Sequence, residues 1–237
     1  EAPAGEQSLD SGLYLVGTPI GNLEDITLRA IRVLRTADAI LAEDTRRTGL
    51  LLQHLGIKAK LMSFHAHNEV ARRESVLQQL QAGAALALVS DAGMPGVSDP
   101  GSDLVAAASE AGVNIVPIPG PSAVLAGLVA SGLPTDAFLF GGFLPKQSKA
   151  RKARIQELAG GQWTIVFYVP PHGLISVLED ASEVLGGERR CVVARELTKR
   201  YEEFWRSTLS EAAAEFEGRG VKGEVTLLIE GAGPAGD

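Results

Sequence analysis

The sequence predicts an α/β protein built as two α/β domains, and three observations carry that prediction. Short apolar runs alternate with segments of helical spacing along most of the chain, the pattern of strands joined by crossover helices. Three prolines in Pro117-Ile118-Pro119-Gly120-Pro121 break any helix or inner strand near the middle, which sets a domain boundary there. Three strand exits in the first half, LYLVGTPIGNLED, LALVSDAGMPGVSDPG and NIVPIPGPSA, share glycine and proline punctuation. Such loops gather along one edge of an open sheet, where ligands bind.

The elements follow in order. Residues 1–12, EAPAGEQSLDSG, show no apolar period and read as a disordered lead-in. Because the chain starts at Glu1, a removed targeting peptide and a trimmed start both fit that stretch. Residues 13–118 form the expected N-terminal domain. Leu13–Val16, Ala39–Ala42, Leu61–Phe64, Leu86–Ser90 and Asn114–Ile118 are apolar and short, as buried parallel strands are. Between them Thr27–Arg35, Thr48–Leu55, Glu69–Gln81 and Asp103–Ala111 have helical spacing, which implies a mostly parallel sheet with helices on both faces. Arg29, Arg32 and Arg35 recur opposite Leu28, Ile31 and Leu34, so the arginines are expected on a solvated helix face. Residues 119–237 form the second domain. Its strands are Phe138–Phe143, Thr164–Tyr168, Cys191–Ala194 and Val225–Ile229, with helices near Lys149–Leu158, Leu174–Leu185 and Ser210–Phe216. Two such domains on a short hinge are expected to hold a cleft between them.

Composition narrows the function. The 237 residues are 45% hydrophobic and 5% aromatic, too few rings for a wide base-stacking surface. A net charge of −7 argues against a general nucleic-acid coat and leaves room for a local basic site. No run reaches the roughly 20 apolar residues of a membrane span. Cys191 is the only cysteine, so no disulfide can form within the chain, and its apolar run reads as a buried, inert thiol.

Four segments carry possible chemistry. In LALVSDAGMPGVSDPG, Gly93, Gly96 and Gly101 let backbone approach a ligand closely. Neither a Walker Gly-Lys-Ser/Thr nor a Rossmann Gly-x-Gly-x-x-Gly is present, which disfavours a plain phosphate cradle. Alone, this loop reads equally as a tight turn with no ligand. In AEDTRRT, Asp44 and Arg46 sit at a strand exit. Asp44 or Thr45 can cap the next helix, yet a carboxylate beside a guanidinium can also orient and deprotonate a hydroxyl. In SFHAHNE, His65, His67 and Glu69 meet at another strand-to-helix junction. They are catalytic candidates or substrate contacts, with no metal expected because no further ligand has supporting spacing. From Lys146 to Arg154 the chain places Lys146, Lys149, Arg151, Lys152 and Arg154 with no acid among them. A solvated helix face or a contact to an RNA backbone explains such an island, and RNA is the better fit.

VGTPIGNLEDITLRA, AEDTRRTGLLL, SDAGMPGVSDPG, IPGPSAV, GFLPK and ARELTK, in this order over Leu13 to Gly231, resemble the tetrapyrrole methylase superfamily, and within it the enzymes that methylate a cytidine ribose 2′-hydroxyl in 16S ribosomal RNA. The resemblance implies two α/β domains with S-adenosylmethionine (AdoMet) between them, a homodimer, small-subunit RNA, within a 30S-type subunit, as partner, no membrane, and no metal. It implies cofactor contacts at Pro19, Ala92, Gly93, Met94, Val97, Ser122, Ala123, Val169 and Leu197. Two positions depart from the usual pattern: Met94 replaces a threonine, and FYVPPHG at Phe167–Gly173 lacks an acid and an arginine. The second departure is associated with plastid-type copies, so the expected compartment is the cytoplasm, with the plastid stroma as alternative. The basic helical extension of many relatives is absent from this sequence. Methylation of a tetrapyrrole or another small substrate by the same fold, and a silent RNA-binding assembly factor, are the competing readings.

Overall fold

Five of the short apolar runs become β1 (Gly12–Val16), β2 (Ala39–Ala42), β3 (Leu61–Ser63), β4 (Ala85–Val89) and β5 (Ile115–Ile118). The structure, a computed structural model, describes residues 8–232, so residues 1–7 of the expected lead-in lie outside the described residues. The chain divides into two units, Glu1–Ser122 and Ala123–Asp237.

In the first unit the strands pair in the order β3-β2-β4-β1-β5, all parallel. Helices α1 (Leu28–Thr36), α2 (Thr45–His54), α3 (Glu69–Gln81) and α4 (Ser102–Glu110) connect them. Strand β4 shows why its sequence is apolar throughout. Ala85, Ala87 and Val89 join a core with Ala30, Val33 and Leu34 of α1, while Leu86 and Leu88 join a second core with Val76 and Leu80 of α3 and Leu104 of α4. Alternate side chains point to opposite faces and both faces are covered, so no position is left for a polar residue. Thr27 caps α1, its side chain accepting from the Ala30 N–H. The expected apolar face of α1 needs one correction: Leu28 is 86% exposed, and Ala30, Val33 and Leu34 face the core.

The second unit runs α5 (Ala123–Ser131), β6 (Phe138–Phe143), α6 (Ser148–Leu158), β7 (Thr164–Val169), α7 (Leu174–Leu185), β8 (Arg190–Arg195), β9 (Glu203–Thr208), α8 (Leu209–Arg219) and β10 (Val225–Ile229). Its strand order is β6-β7-β10-β8-β9. Only β6 and β7 are parallel; the other pairs are antiparallel. Val225, Leu227 and Ile229 of β10 enter a core with α6, α7 and α8. Gly127 of α5 lies against Thr226 and Leu228 on the other face, where an added Cβ would stand 3.4 Å from Thr226 Cγ2. Helix α5 and strand β9 are absent from the sequence prediction. Ala123–Ser131 is apolar on nearly every side, so it carries no helical period, and the half-exposed EFWRST of β9 mixes charge and aromatics at a sheet edge.

Candidate active site

The parallel sheet of the first unit brings its loops to one edge. Strands β2 and β4 are neighbours, yet the chain leaves β2 toward β3 and leaves β4 toward β5. Connections that diverge in this way open a crevice beyond the carboxyl ends of the strands. The loop after β1 and the glycine loop after β4 are clasped there. Thr18 N–H donates to Gly93 O at 2.9 Å, Gly93 N–H to Thr18 O at 3.0 Å, and the buried Thr18 hydroxyl to Ser90 O at 3.2 Å. The loop after β5 meets both. A Cβ on Gly17 would lie 2.6 Å from Met94 Sδ and 2.8 Å from Gly120 Cα, so only glycine permits this approach. Gly120 and Pro121 meet this cluster, and the division between the units falls after Ser122, four residues beyond the boundary read from the prolines.

The expected cofactor residues of the first unit therefore share one loop cluster. Pro19 follows the clasp, Ala92 and Val97 are exposed, and Gly93 and Met94 form its centre. Gly93 has φ +83, and a valine there would strain the backbone whatever it does to a ligand. Ser122 ends this unit and Ala123 opens α5. In the second unit, Val169 ends β7 with its side chain in the core, which leaves its backbone for any contact. Leu197 follows β8 in a strained turn: Glu196 and Thr198 on either side have φ +52 and +66. Lys199 Nζ and the Glu224 N–H hold the Glu196 carboxylate at 2.8 and 2.9 Å. The Thr198 hydroxyl is buried without a partner. This orphaned hydroxyl in a strained turn fits a contact to the cofactor named by the motifs.

The acids at this edge divide sharply. Asp44 is the N-cap of α2, accepting from the Arg46 N–H at 2.9 Å, while Arg46 Nε and Nη2 donate to its two oxygens at 3.1 and 2.8 Å. These bonds from Arg46 hold the Asp44 carboxyl well below the usual carboxylate range. Arg46 thus clamps the carboxylate that the sequence offers as a general base. Asp99, which the sequence reading passed over, behaves oppositely. Burial pushes its pKa up to about 6, opposed by a hydrogen bond with Ser90 and assisted by the charges of Glu43 and Asp91. The residue before it, Ser98, has φ +62. Asp91 accepts from the Asp44 N–H at 3.1 Å and pairs with Arg47 at 3.4 Å. A cavity of about 230 Å³ opens here, bounded by Thr18, Pro19 and Leu23 after β1, by Arg47, Thr48, Leu50 and Leu51 of α2, and by Ser90 and Asp91 after β4.

The histidine junction is a folded turn. Asn68 Oδ1 accepts from the His65 N–H at 2.8 Å, and Asn68 Nδ2 lies 3.2 Å from His65 Nε2. His65 and His67 meet edge to face at 5.9 Å, and His65 Nδ1 is buried without a partner. Glu69 Oε1 accepts from the Gly101 N–H at 3.1 Å, tying α3 to the glycine loop, so its carboxylate holds the loop's shape. Among the described residues no group of His, Cys, Asp or Glu could hold a metal ion. Burial pushes the Cys191 thiol up to about 12, which keeps it protonated and inert.

The basic island is corrected most. Arg151 is 7% exposed and forms a buried ion pair with Asp180 of α7, Nε to Oδ2 at 2.6 Å, with further bonds to the carbonyls of Pro145, Lys146 and Ser176. Lys152 pairs with Glu183 and Asp180, and Arg154 with Glu157 at 2.7 Å. The neutralising acids come from α7 and the end of α6, outside the stretch that looked unneutralised. Lys146 and Lys149 are left exposed as the cations able to meet a phosphate.

Comparison with known proteins gives a consistent result. The family profile described as Tetrapyrrole (Corrin/Porphyrin) Methylases matches residues 12–213. Ribosomal RNA small subunit methyltransferase I of Synechocystis is 52% identical over 222 residues, covering 94% of this chain and 80% of that protein. The protein of the same name from Escherichia coli O157:H7 is 49% identical, covering 95% and 80%. Among solved structures, the methyltransferase CobJ superposes with a TM-score of 0.69 at 22% identity, covering 95% of this chain and 97% of that one. A uroporphyrin-III C-methyltransferase from Thermus thermophilus, complexed with S-adenosylhomocysteine, superposes with 0.64 at 20% identity, covering 92% and 96%. At such identity these structures establish the fold alone.

Proposed function

The chain belongs to the tetrapyrrole methylase family, and on that premise we propose that it transfers a methyl group from AdoMet to the ribose 2′-hydroxyl of a cytidine in small-subunit ribosomal RNA. The observation that carries this reading is about half identity, across more than nine-tenths of the chain, to proteins named ribosomal RNA small subunit methyltransferase I. The chain is an AdoMet-dependent methyltransferase. Its substrate is ribosomal RNA, in an assembled 30S-type subunit, and it acts as a homodimer wherever such ribosomes are built, in a bacterial-type cytoplasm or a plastid stroma. Among the described residues no helix is long and apolar enough to cross a membrane.

AdoMet supplies an electrophilic methyl on a positively charged sulfur. The chain supplies position and a proton acceptor. In the first unit Pro19, Ala92, Gly93, Met94, Val97 and Ser122 would hold the cofactor, with Gly93 fixed by the Thr18 clasp. Ala123, Val169 and Leu197 are the second unit's own candidates for a cofactor contact. The 2′-hydroxyl proton needs an acceptor whose pKa lies near the working pH. The candidates are Asp44, paired with an Arg46 side chain that is 88% exposed, and Asp99, whose pKa burial pushes up to about 6. His65 and His67 line the neighbouring strand exit.

The test offers tritiated AdoMet with either small ribosomal subunits lacking the modification or reduced uroporphyrin III. Label in ribosomal RNA is expected. Label in the tetrapyrrole alone would overturn the reading in favour of the chemistry of the distant structural neighbours.

A further inference from the structure

The cavity at the exits of β1, β2 and β4 has two kinds of wall. Its apolar sides include Leu23 and Leu50, 43% and 67% exposed. Its polar side carries one carboxylate, Asp91. The Asp91 backbone N–H donates to Glu43 Oε2 at 3.3 Å, and its Oδ1 accepts from the Asp44 N–H, so two strand exits fix the residue. The other oxygen pairs with Arg47, at 3.4 Å and with that side chain 68% exposed, and exposed pairs of this kind hold weakly. An ionised carboxylate accepts at about four positions and donates at none, so Asp91 has unused capacity for a donor entering the cavity. The Thr18 hydroxyl is already spent on Ser90 O. At about 230 Å³ the space has room for one base.

We propose that this cavity takes the base of the target nucleotide and that Asp91 selects it by accepting a hydrogen bond from the base's exocyclic amine. Cytosine presents such an amine, and carboxylates read it in nucleic-acid complexes. Uracil would set a carbonyl oxygen against the same carboxylate, two acceptors with no proton to share. As the base enters, Arg47 gives up a loose partner and meets an RNA phosphate instead. The inference rests on the ribosomal-RNA reading above and adds to it the residue that separates cytidine from uridine.

The test uses the full chain, tritiated AdoMet and small subunits carrying cytidine or uridine at the methylated position, and reads the ratio of kcat/KM for the two. The wild-type protein is expected to favour cytidine on the order of ten- to a hundredfold, the worth of one read base edge. Asp91→Asn offers an amide that can donate to uracil as well as accept from cytosine, so the ratio should fall to near unity, and Asp91→Glu should restore the preference. General damage to the site lowers both rates alike and leaves the ratio unmoved, and an unmoved ratio overturns the assignment. Leu50→Trp, at an exposed helix position, crowds the same cavity and should raise the KM for subunits at unchanged AdoMet affinity; an unchanged KM overturns the cavity as the base site. Failure of the wild-type protein to label either subunit would contradict the ribosomal-RNA reading itself.

Discussion

Asp44 and Asp99 show how far a residue's neighbours, and not its type, decide its chemistry. Both are aspartates beyond strand ends of one sheet, and only Asp44 sits in a motif that advertises a base. Its partner Arg46 lies two residues away, so sequence displays the pair but not that the fork closes on both oxygens. Asp99 owes its raised pKa to burial and to Glu43 and Asp91, which come from another strand exit and from the far side of the glycine loop, and no local pattern reveals that. The shift has a consequence for stability. The folded pKa, about 6, lies above the unfolded value of 3.8, so the native state binds more protons between them and stability falls as pH rises through that window. Asp99→Asn should therefore raise the melting temperature at pH 7, by about 2–4 °C if partial exposure cuts the effect to on the order of 1 kcal/mol. Below about pH 4 the gain should vanish. The same variant should abolish the limb of the rate profile that rises with pH near 6, and a wild-type-like profile would remove Asp99 from proton transfer.

At the scale of elements, sequence was most informative where burial is two-sided. The runs that became β1, β2 and β4 are apolar because helices cover both faces, and the glycine and proline exits after β1, β4 and β5 fell where the structure has loops. It was least informative where an element is apolar all round, as in α5, or lies at a sheet edge, as in β9. Helix α6 shows a third failure: its cations are neutralised by α7, a partner distant in sequence. Arg151 and Asp180 are both 7% exposed, and removing one member of a buried pair costs about 3–5 kcal/mol. Arg151→Ala should thus destabilise the protein by about that amount, measured by denaturant unfolding, whereas Lys146→Gln with Lys149→Gln should leave stability unchanged. The double variant should instead flatten the salt dependence of RNA binding by roughly 0.7–0.9 log units per lost phosphate contact. An unaltered slope would place the RNA surface elsewhere.

At the scale of the whole molecule, one parallel and one mostly antiparallel sheet each bring candidate ligand residues to strand ends, the first through a three-loop clasp and the second through the strained turn around Leu197. The solved relatives share that architecture at about 20% identity, so fold alone fits several methyl acceptors. What separates them is the identity of about half to ribosomal RNA methyltransferases. The central claim is transfer to a ribose oxygen. Its most direct measurement is to label small subunits lacking the modification with methyl-tritiated AdoMet, digest the RNA to nucleosides and identify the labelled one. The account predicts label in 2′-O-methylcytidine from 16S-type RNA; label on a base atom, or on another nucleoside, would contradict it.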